Sequence, residues 1–125
     1  MKAIMQSIHP YWIVRILEGK KTRELRKSRP RNIEYPFKVY MYETKKGIGA
    51  VVGEYVCHGI VTTSSPLLAA ENSGIPYEVV SQYMGNGKLC CWDISGVKKY
   101  KTPVPITQFG LKKAPQSWCY VDCTV

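Results

Sequence analysis

Apolar and polar side chains alternate from Phe37 to Tyr42, with Phe37, Val39 and Met41 set against Lys38, Tyr40 and Tyr42. A period of two is the spacing of a strand, and it predicts one from Phe37 to Glu43. Ala3 to Ile8 reads the same way, with Ala3, Met5 and Ser7 on one face and Ile4, Gln6 and Ile8 on the other. Between these stretches the period lengthens. Trp12, Ile13, Ile16 and Leu17 recur at helical spacing after Pro10, which suits a first helical turn, and Gly19 supplies the stop. A short alternation follows, placing Thr22, Glu24 and Arg26 on one face and Arg23, Leu25 and Lys27 on the other.

Further along, Pro30 and Pro36 bracket an irregular or edge-like linker. Ala50 to Thr62 is dense in valine, tyrosine, isoleucine and threonine and reads as one long curved strand bending at Gly53 and Gly59. A short helix is expected from Pro66 towards Gly74. A second is expected from Pro76 to Gly85, with Val79, Val80 and Tyr83 inward. Leu89 to Ile94 and Trp118 to Val121 read as strands, Lys98, Lys99 and Lys101 as a basic stretch, and Val104 to Ile106 as a short edge. There is no internal repeat or interdomain linker, so residues 1–125 are expected to form a single domain. Short helices among five to seven strands suggest a mostly β, α+β fold that closes as a small mixed barrel. A parallel βαβ sheet would need longer crossover helices.

Charge sharpens this picture. Eighteen Lys and Arg against nine Asp and Glu give a formal net charge of +9. Such an excess suits a polyanionic partner, and nucleic acid rewards it through counterion release. An anionic membrane would attract the charge too, but no helix carries a long cationic face and no stretch reaches spanning length, so a membrane partner is not expected. The amino-terminal MKAIMQSIHP has no sustained apolar core or cleavage-like site. Five cysteines, Cys57, Cys90, Cys91, Cys119 and Cys123, are an odd number with one adjacent pair. They point to free thiols in a reducing compartment and a cytoplasmic location.

The excess is concentrated. From Lys20 to Arg31 the basic residues are Lys20, Lys21, Arg23, Arg26, Lys27, Arg29 and Arg31, and Glu24 is the one acid. Lys21 can contact a phosphate or a base, act as a general base if desolvation lowers its pKa, or be an ordinary surface lysine. Glu24 can accept from the amine or ring N–H of a base, exchange a proton with Lys21, or make a plain salt bridge. Three positions of strand would put the two on opposite faces, so they meet only if the chain turns or bulges after Gly19. Lys20, Arg23, Arg26, Lys27, Arg29 and Arg31 suit phosphate contacts, Tyr11 a stacking contact, and Ser117 with Gln116 hydrogen bonds at the rim. Trp12, Trp92 and Trp118 are assigned to the core.

Metal and cofactor chemistry find no support here. Adjacent residues on a strand point to opposite faces, so Cys57 with His58, or Cys90 with Cys91, can each offer one ligand at most to a site. No CxxC spacing occurs, nor any phosphate-binding loop, dinucleotide fingerprint or serine elbow. No metal and no cofactor are expected.

Three ordered motifs, GKKT at Gly19–Thr22 followed by ELR, WDISG around Trp92, and APQSWCYV at Ala114–Val121, resemble the ASCH domain of the PUA-like superfamily. The resemblance spans almost the whole chain and is nearest to small ASCH proteins of phages and bacteria. It implies a pseudo-barrel of about six strands with a helix between the first two, and a cleft beside the GxKT segment. It also implies binding of RNA or modified nucleobases. Some members resemble amidohydrolases that deacetylate N4-acetylcytidine with a lysine, a threonine and a glutamate, and ribonuclease activity is ascribed to another. The family lysine falls on Lys21, but Glu24 stands where the threonine of that triad would be. Glu54, then Glu71, are nearest in order to its glutamate. The expectation is therefore RNA or nucleotide binding through a basic cleft, with Lys21, Glu24 and Glu54 as catalytic candidates should there be a reaction. The alternatives are a small hydrolase acting on a modified nucleoside or on RNA, and a transcription-related interaction module with an acidic protein partner.

Overall fold

The computed structural model describes residues 1–44 and 46–123. Strand β1 (Lys2–Ile8) leads into helix α1 (Pro10–Leu17), then β2 (Arg23–Arg26), β3 (Phe37–Glu43), β4 (Ala50–Cys57) and β5 (Ile60–Thr63). Helices α2 (Pro66–Ala70) and α3 (Tyr77–Met84) follow, then β6 (Leu89–Asp93), β7 (Ser95–Val104), a 3-10 turn over Ile106–Phe109, and β8 (Trp118–Asp122). The strands form a five-stranded sheet in the order β7-β4-β3-β1-β8 and a three-stranded sheet in the order β2-β6-β5. All pairs are antiparallel except β1 with β3, whose connection passes through α1 and β2.

β1 lies inside the large sheet, between β3 and β8, and is buried on both faces. Ile4 and Ile8 point into the core between the two sheets, with Val39, Tyr55 and Trp92. Ala3 and Met5 point outward into a second cluster with Tyr40 and Val121, packed under Tyr100, Val104 and Phe109. A third cluster lies beyond the small sheet, where Leu25, Leu89 and Cys91 meet Ala69, Val80 and Met84 of α2 and α3. The sequence of layers is thus cover segment, large sheet, core, small sheet, helices. Cys90 and Cys91 fall in different clusters, the outcome their adjacency on a strand demands.

Four expectations need correction. The sheets do not close into a barrel: among the described residues β7 and β8 edge the larger sheet, and β2 and β5 the smaller. Ala50 to Thr62 is not one strand. It leaves the large sheet at Cys57 and resumes as β5 in the small one, with His58 and Gly59 making the switch. In α3, Val80 and Met84 are buried, whereas Val79 and Tyr83 are about half exposed. The stretch of Lys98, Lys99 and Lys101 belongs to the ten-residue β7, while the edge expected at Val104 to Ile106 is the end of that strand and the entry to the 3-10 turn. At Gly53 a Cβ would lie 2.5 Å from the Lys98 carbonyl, so glycine is what lets β7 approach β4 so closely. No helix among the described residues is long and apolar enough to cross a membrane.

Candidate functional site

The site begins with the way α1 ends. Gly19 takes φ +77°. Its N–H donates to the Ile16 carbonyl at 3.1 Å, and the Lys20 N–H donates to that of Arg15 at 2.9 Å. This is a Schellman closure, and glycine is favoured there because the left-handed turn carries no Cβ penalty. The Lys21 N–H also reaches the Arg15 carbonyl, at 3.2 Å, so the chain is still turning at Lys21 and becomes a strand only at Arg23. The turn required for Lys21 and Glu24 to meet is therefore present.

They do meet. Lys21 is 1% exposed, and its Nζ lies 3.4 Å from Glu24 Oε1. It donates to the Ser73 carbonyl at 2.7 Å and lies 5.0 Å from the centre of the Trp12 ring. Glu24 Oε2 accepts from Arg26 Nε at 2.9 Å and from the same guanidinium's Nη2. Arg26 further donates to the Ser7 carbonyl at 2.8 Å and to the carbonyl and hydroxyl of Ser117 at 3.1 and 3.2 Å. β2 thus turns its charges towards the core and its leucine away: Glu24 and Arg26 pair in register with Trp92 and Cys90, while Leu25 faces the helices. Arg26 spans the space between the sheets, tying β2 to β1 and β8.

Electrostatics follow from burial. Desolvation lowers the pKa of Lys21, and the neighbouring Glu24 opposes it. Tyr55, fully buried, is raised well above the ordinary phenol range by desolvation and by the charge of Glu24. Its hydroxyl donates to Gln6 Oε1 at 2.9 Å, which leaves the Gln6 amide nitrogen buried without a partner among the described residues. Chemically, the unit holds an ammonium of reduced basicity, a guanidinium, a carboxylate and two hydroxyls (Ser117 and Tyr55), while the Ser7 hydroxyl donates away from it to the Pro115 carbonyl at 2.6 Å. The unit is covered by the turn at Asn72–Gly74, where the Asn72 carbonyl accepts from the Thr22 N–H.

The other residues of the basic run lie outside this unit. Arg23 donates to the Leu68 carbonyl at 2.7 Å, and Lys27 sits 4.7 Å over the Tyr83 ring. Arg29 bonds the Ile60 carbonyl at 3.1 Å and the Tyr35 hydroxyl at 2.8 Å. Arg31 is exposed, and its backbone N–H reaches the Tyr120 hydroxyl. Lys20 pairs with Glu18 at 3.7 Å on the surface. Among the described residues, no carboxylate lies within 4 Å of the charged groups of Arg23, Lys27, Arg29 or Arg31. Tyr11 is exposed and packs edge-on to Trp12, with the Arg15 guanidinium over its ring.

Glu54 is elsewhere. It points to the outer face of the large sheet, where it pairs with Lys38 at 3.1 Å and accepts from the Tyr100 hydroxyl at 2.7 Å. Its neighbour Tyr55 takes the inner face, so Glu54 does not join Lys21. Glu71 is exposed at the end of α2. Gln6, Tyr55 and the backbone carbonyls of Ser7 and Ser73 complete the unit and were not singled out from sequence. Gln6 and Ser7 do leave a signal there, as two polar residues in the otherwise apolar AIMQSI. Of the thiols, Cys57 shares the core cluster of Tyr55 and adds to the upward shift of the tyrosine's pKa. Burial pushes Cys57 up to about 11 and raises Cys91 and Cys119, and no cluster of His, Cys, Asp and Glu among the described residues could hold a metal.

No family model matches the chain, and no curated protein matches it in sequence. In structure it is similar to the ASCH protein of Zymomonas mobilis, at TM-score 0.81 and 20% identity over 96% of this chain and 87% of that one. A tyrosine-to-phenylalanine variant of the same protein gives TM-score 0.82 and 19% identity over 98% and 91% of the two chains. The N-terminal domain of Staphylothermus marinus McrB is more distant, at TM-score 0.50 and 16% identity over 85% and 77%. Identities this low speak for the fold, and the fold of this chain is that of the ASCH proteins.

Proposed function

We propose that the protein binds RNA, or a nucleotide fragment of it, on the basic surface that flanks the buried Lys21–Glu24–Arg26 unit. One observation carries this reading. Among the described residues Arg23, Lys27, Arg29 and Arg31 have no carboxylate within 4 Å, and the last three meet the partly exposed tyrosines: Lys27 lies over the Tyr83 ring, Arg29 donates to the Tyr35 hydroxyl and the Arg31 N–H to that of Tyr120. Unpaired cations retain their full value for phosphates, and aromatic rings between them offer stacking for unpaired bases. An acidic protein partner would use the charge but has no need of the rings. In this reading the buried unit holds the two sheets and the basic arm in register and does not itself touch the ligand.

A hydrolytic reading rests on a different observation, the buried lysine of lowered pKa beside a carboxylate, with the hydroxyls of Ser117 and Tyr55 and an amide that has no partner among the described residues in the same unit. A substrate could reach Lys21 only if the turn at Asn72–Gly74 moved aside.

The test is equilibrium binding of single-stranded RNA, DNA and nucleosides, acetylated cytidine included, with chromatography of the same samples for products. The expected result is RNA binding that weakens steeply with salt and yields no product. Acetate or cleaved RNA that disappears in Lys21→Ala would transfer the assignment to the hydrolase. Failure to bind any nucleic acid at low salt, with an acidic polypeptide bound instead, would transfer it to a protein partner.

A further inference from the structure

The outer face of the large sheet, remote from Lys21, carries two clefts that share one residue. The larger, about 820 Å³, is lined in part by Lys2, Arg31, Glu34, Tyr35 and Lys38. The smaller, about 350 Å³, is lined by Lys38, Glu54, Lys98, Tyr100, Gln108 and Phe109, with Val104 at its wall. Both are within the size range of small-ligand sites. Arg31 ends the basic run and opens the first cleft, Lys38 belongs to both, and Lys98 on the edge strand β7 closes the second. Four cations therefore line the path (Lys2, Arg31, Lys38 and Lys98) against two acids (Glu34 and Glu54).

We infer that a single RNA strand bound at Arg31 continues along this path, crosses Lys38 and ends with one base in the Glu54 cleft. The inference rests on the nucleic-acid reading above and extends it to residues outside the basic run. The chemistry of the small cleft supports a base. Glu54 is held by the Tyr100 hydroxyl and by Lys38, a fixed carboxylate able to accept from an exocyclic amine. Phe109, 4.7 Å from Tyr40 between ring centres, and Tyr100 offer the aromatic walls against which a base can lie. Lys98 is exposed in register with Glu54, where the adjoining phosphate would come. Lys38 lines both clefts and holds Glu54 at 3.1 Å, and an ammonium has three donors, so it can keep that carboxylate and offer a remaining N–H to a phosphate. A duplex would keep its bases stacked and paired, out of reach of these rings, which is why the path suits a single strand.

The experiment measures binding of a short and a long single-stranded RNA homopolymer, and of a free mononucleotide, across a salt series. It compares the wild type with Lys98→Gln, Lys38→Gln and Lys27→Ala/Arg31→Ala. Lys98 is exposed on an edge strand, so its variant keeps the fold. The proposal expects each of Lys98→Gln and Lys38→Gln to lower the logarithmic salt slope for the long RNA by about 0.7, the value of one phosphate contact on a single strand. The short RNA, held near Arg31, should not respond to Lys98→Gln. Ultraviolet crosslinking of the long RNA should mark the peptide containing Tyr100 or Phe109. Long-RNA binding that depends on Lys27 and Arg31 but ignores Lys38 and Lys98 would overturn the route and leave the nucleic-acid reading standing. A mononucleotide bound as tightly as the long RNA, with the same dependence on Lys98, would also overturn it in favour of a free-nucleotide site. Absence of any RNA binding would overturn both.

Discussion

Two halves of one basic run meet opposite fates. Lys21 and Arg26 go inward, share Glu24 and are nearly lost to solvent, whereas Lys27 and Arg31, a few residues away, stand at the surface with no carboxylate within 4 Å among the described residues. The difference comes from two backbone facts: the left-handed turn at Gly19 and the two-residue period of β2. It teaches that a run of charge is not a single functional object. The inward half carries a desolvation cost that is offset only by complete pairing, so its role is bound up with stability. The outward half contributes little to folding and is free to meet a ligand.

The comparison breaks most visibly at Glu24. Glu24→Ala strands two buried cations and should cost about 3–5 kcal/mol of stability in urea unfolding. Lys21→Met should cost less, about 1–3 kcal/mol, because Glu24 keeps Arg26 and the main loss is a charged hydrogen bond to Ser73. Its pH dependence sharpens the point. Burial holds the folded pKa of Lys21 below its ordinary 10.5. Between those two values the unfolded chain keeps the proton and the fold has released it, so this group's contribution to stability rises with pH across that window and is flat below it. Wild type should therefore gain on Lys21→Met as pH climbs towards 10.5. The raised Tyr55 and Cys57 act the opposite way but are common to both proteins, so the difference cancels them. Smallest of all is the effect on folding of Lys27→Ala/Arg31→Ala, expected within about 0.5 kcal/mol per site. Arg29 is a poorer probe of the outward half, since it is tied to Ile60 and Tyr35.

The inward half was legible to a degree that follows from geometry. Gly19 after a helical stripe announces a left-handed cap, and RELR alternates. Those two facts placed Glu24 with Arg26 and made its contact with Lys21 conditional on the turn that is present. What sequence could not supply is which face of β2 looks inward. Burying the leucine beneath the helices and sending the charges to the core is the less expected choice, and it rests on partners from β1, β8 and the loop at Ser73. The split of Ala50 to Thr62 was hidden because both halves are equally rich in strand formers, with only Gly59 to mark the crossing. In α3, Val79 and Val80 are adjacent, and eight residues are too few to choose a face; Met84, four after Val80, decides it. β7 was obscured because Lys98, Lys99 and Lys101 lie on an exposed edge, where apolar alternation is not needed and lysine discourages further pairing. The two clefts of the outer face were illegible because they join Arg31, Lys38 and Lys98, which lie on strands or loops far apart in the chain.

The central claim is that the outward cations serve a nucleic acid while the inward ones serve the fold. Its most direct test is the affinity of a single-stranded RNA measured over a salt series for wild type and for Lys27→Ala/Arg31→Ala, with unfolding midpoints taken on the same preparations. The account predicts a midpoint essentially unmoved and a logarithmic salt slope reduced by about 1.4, two phosphate contacts on a single strand. An unchanged slope and affinity in a variant that folds as well as wild type would contradict it.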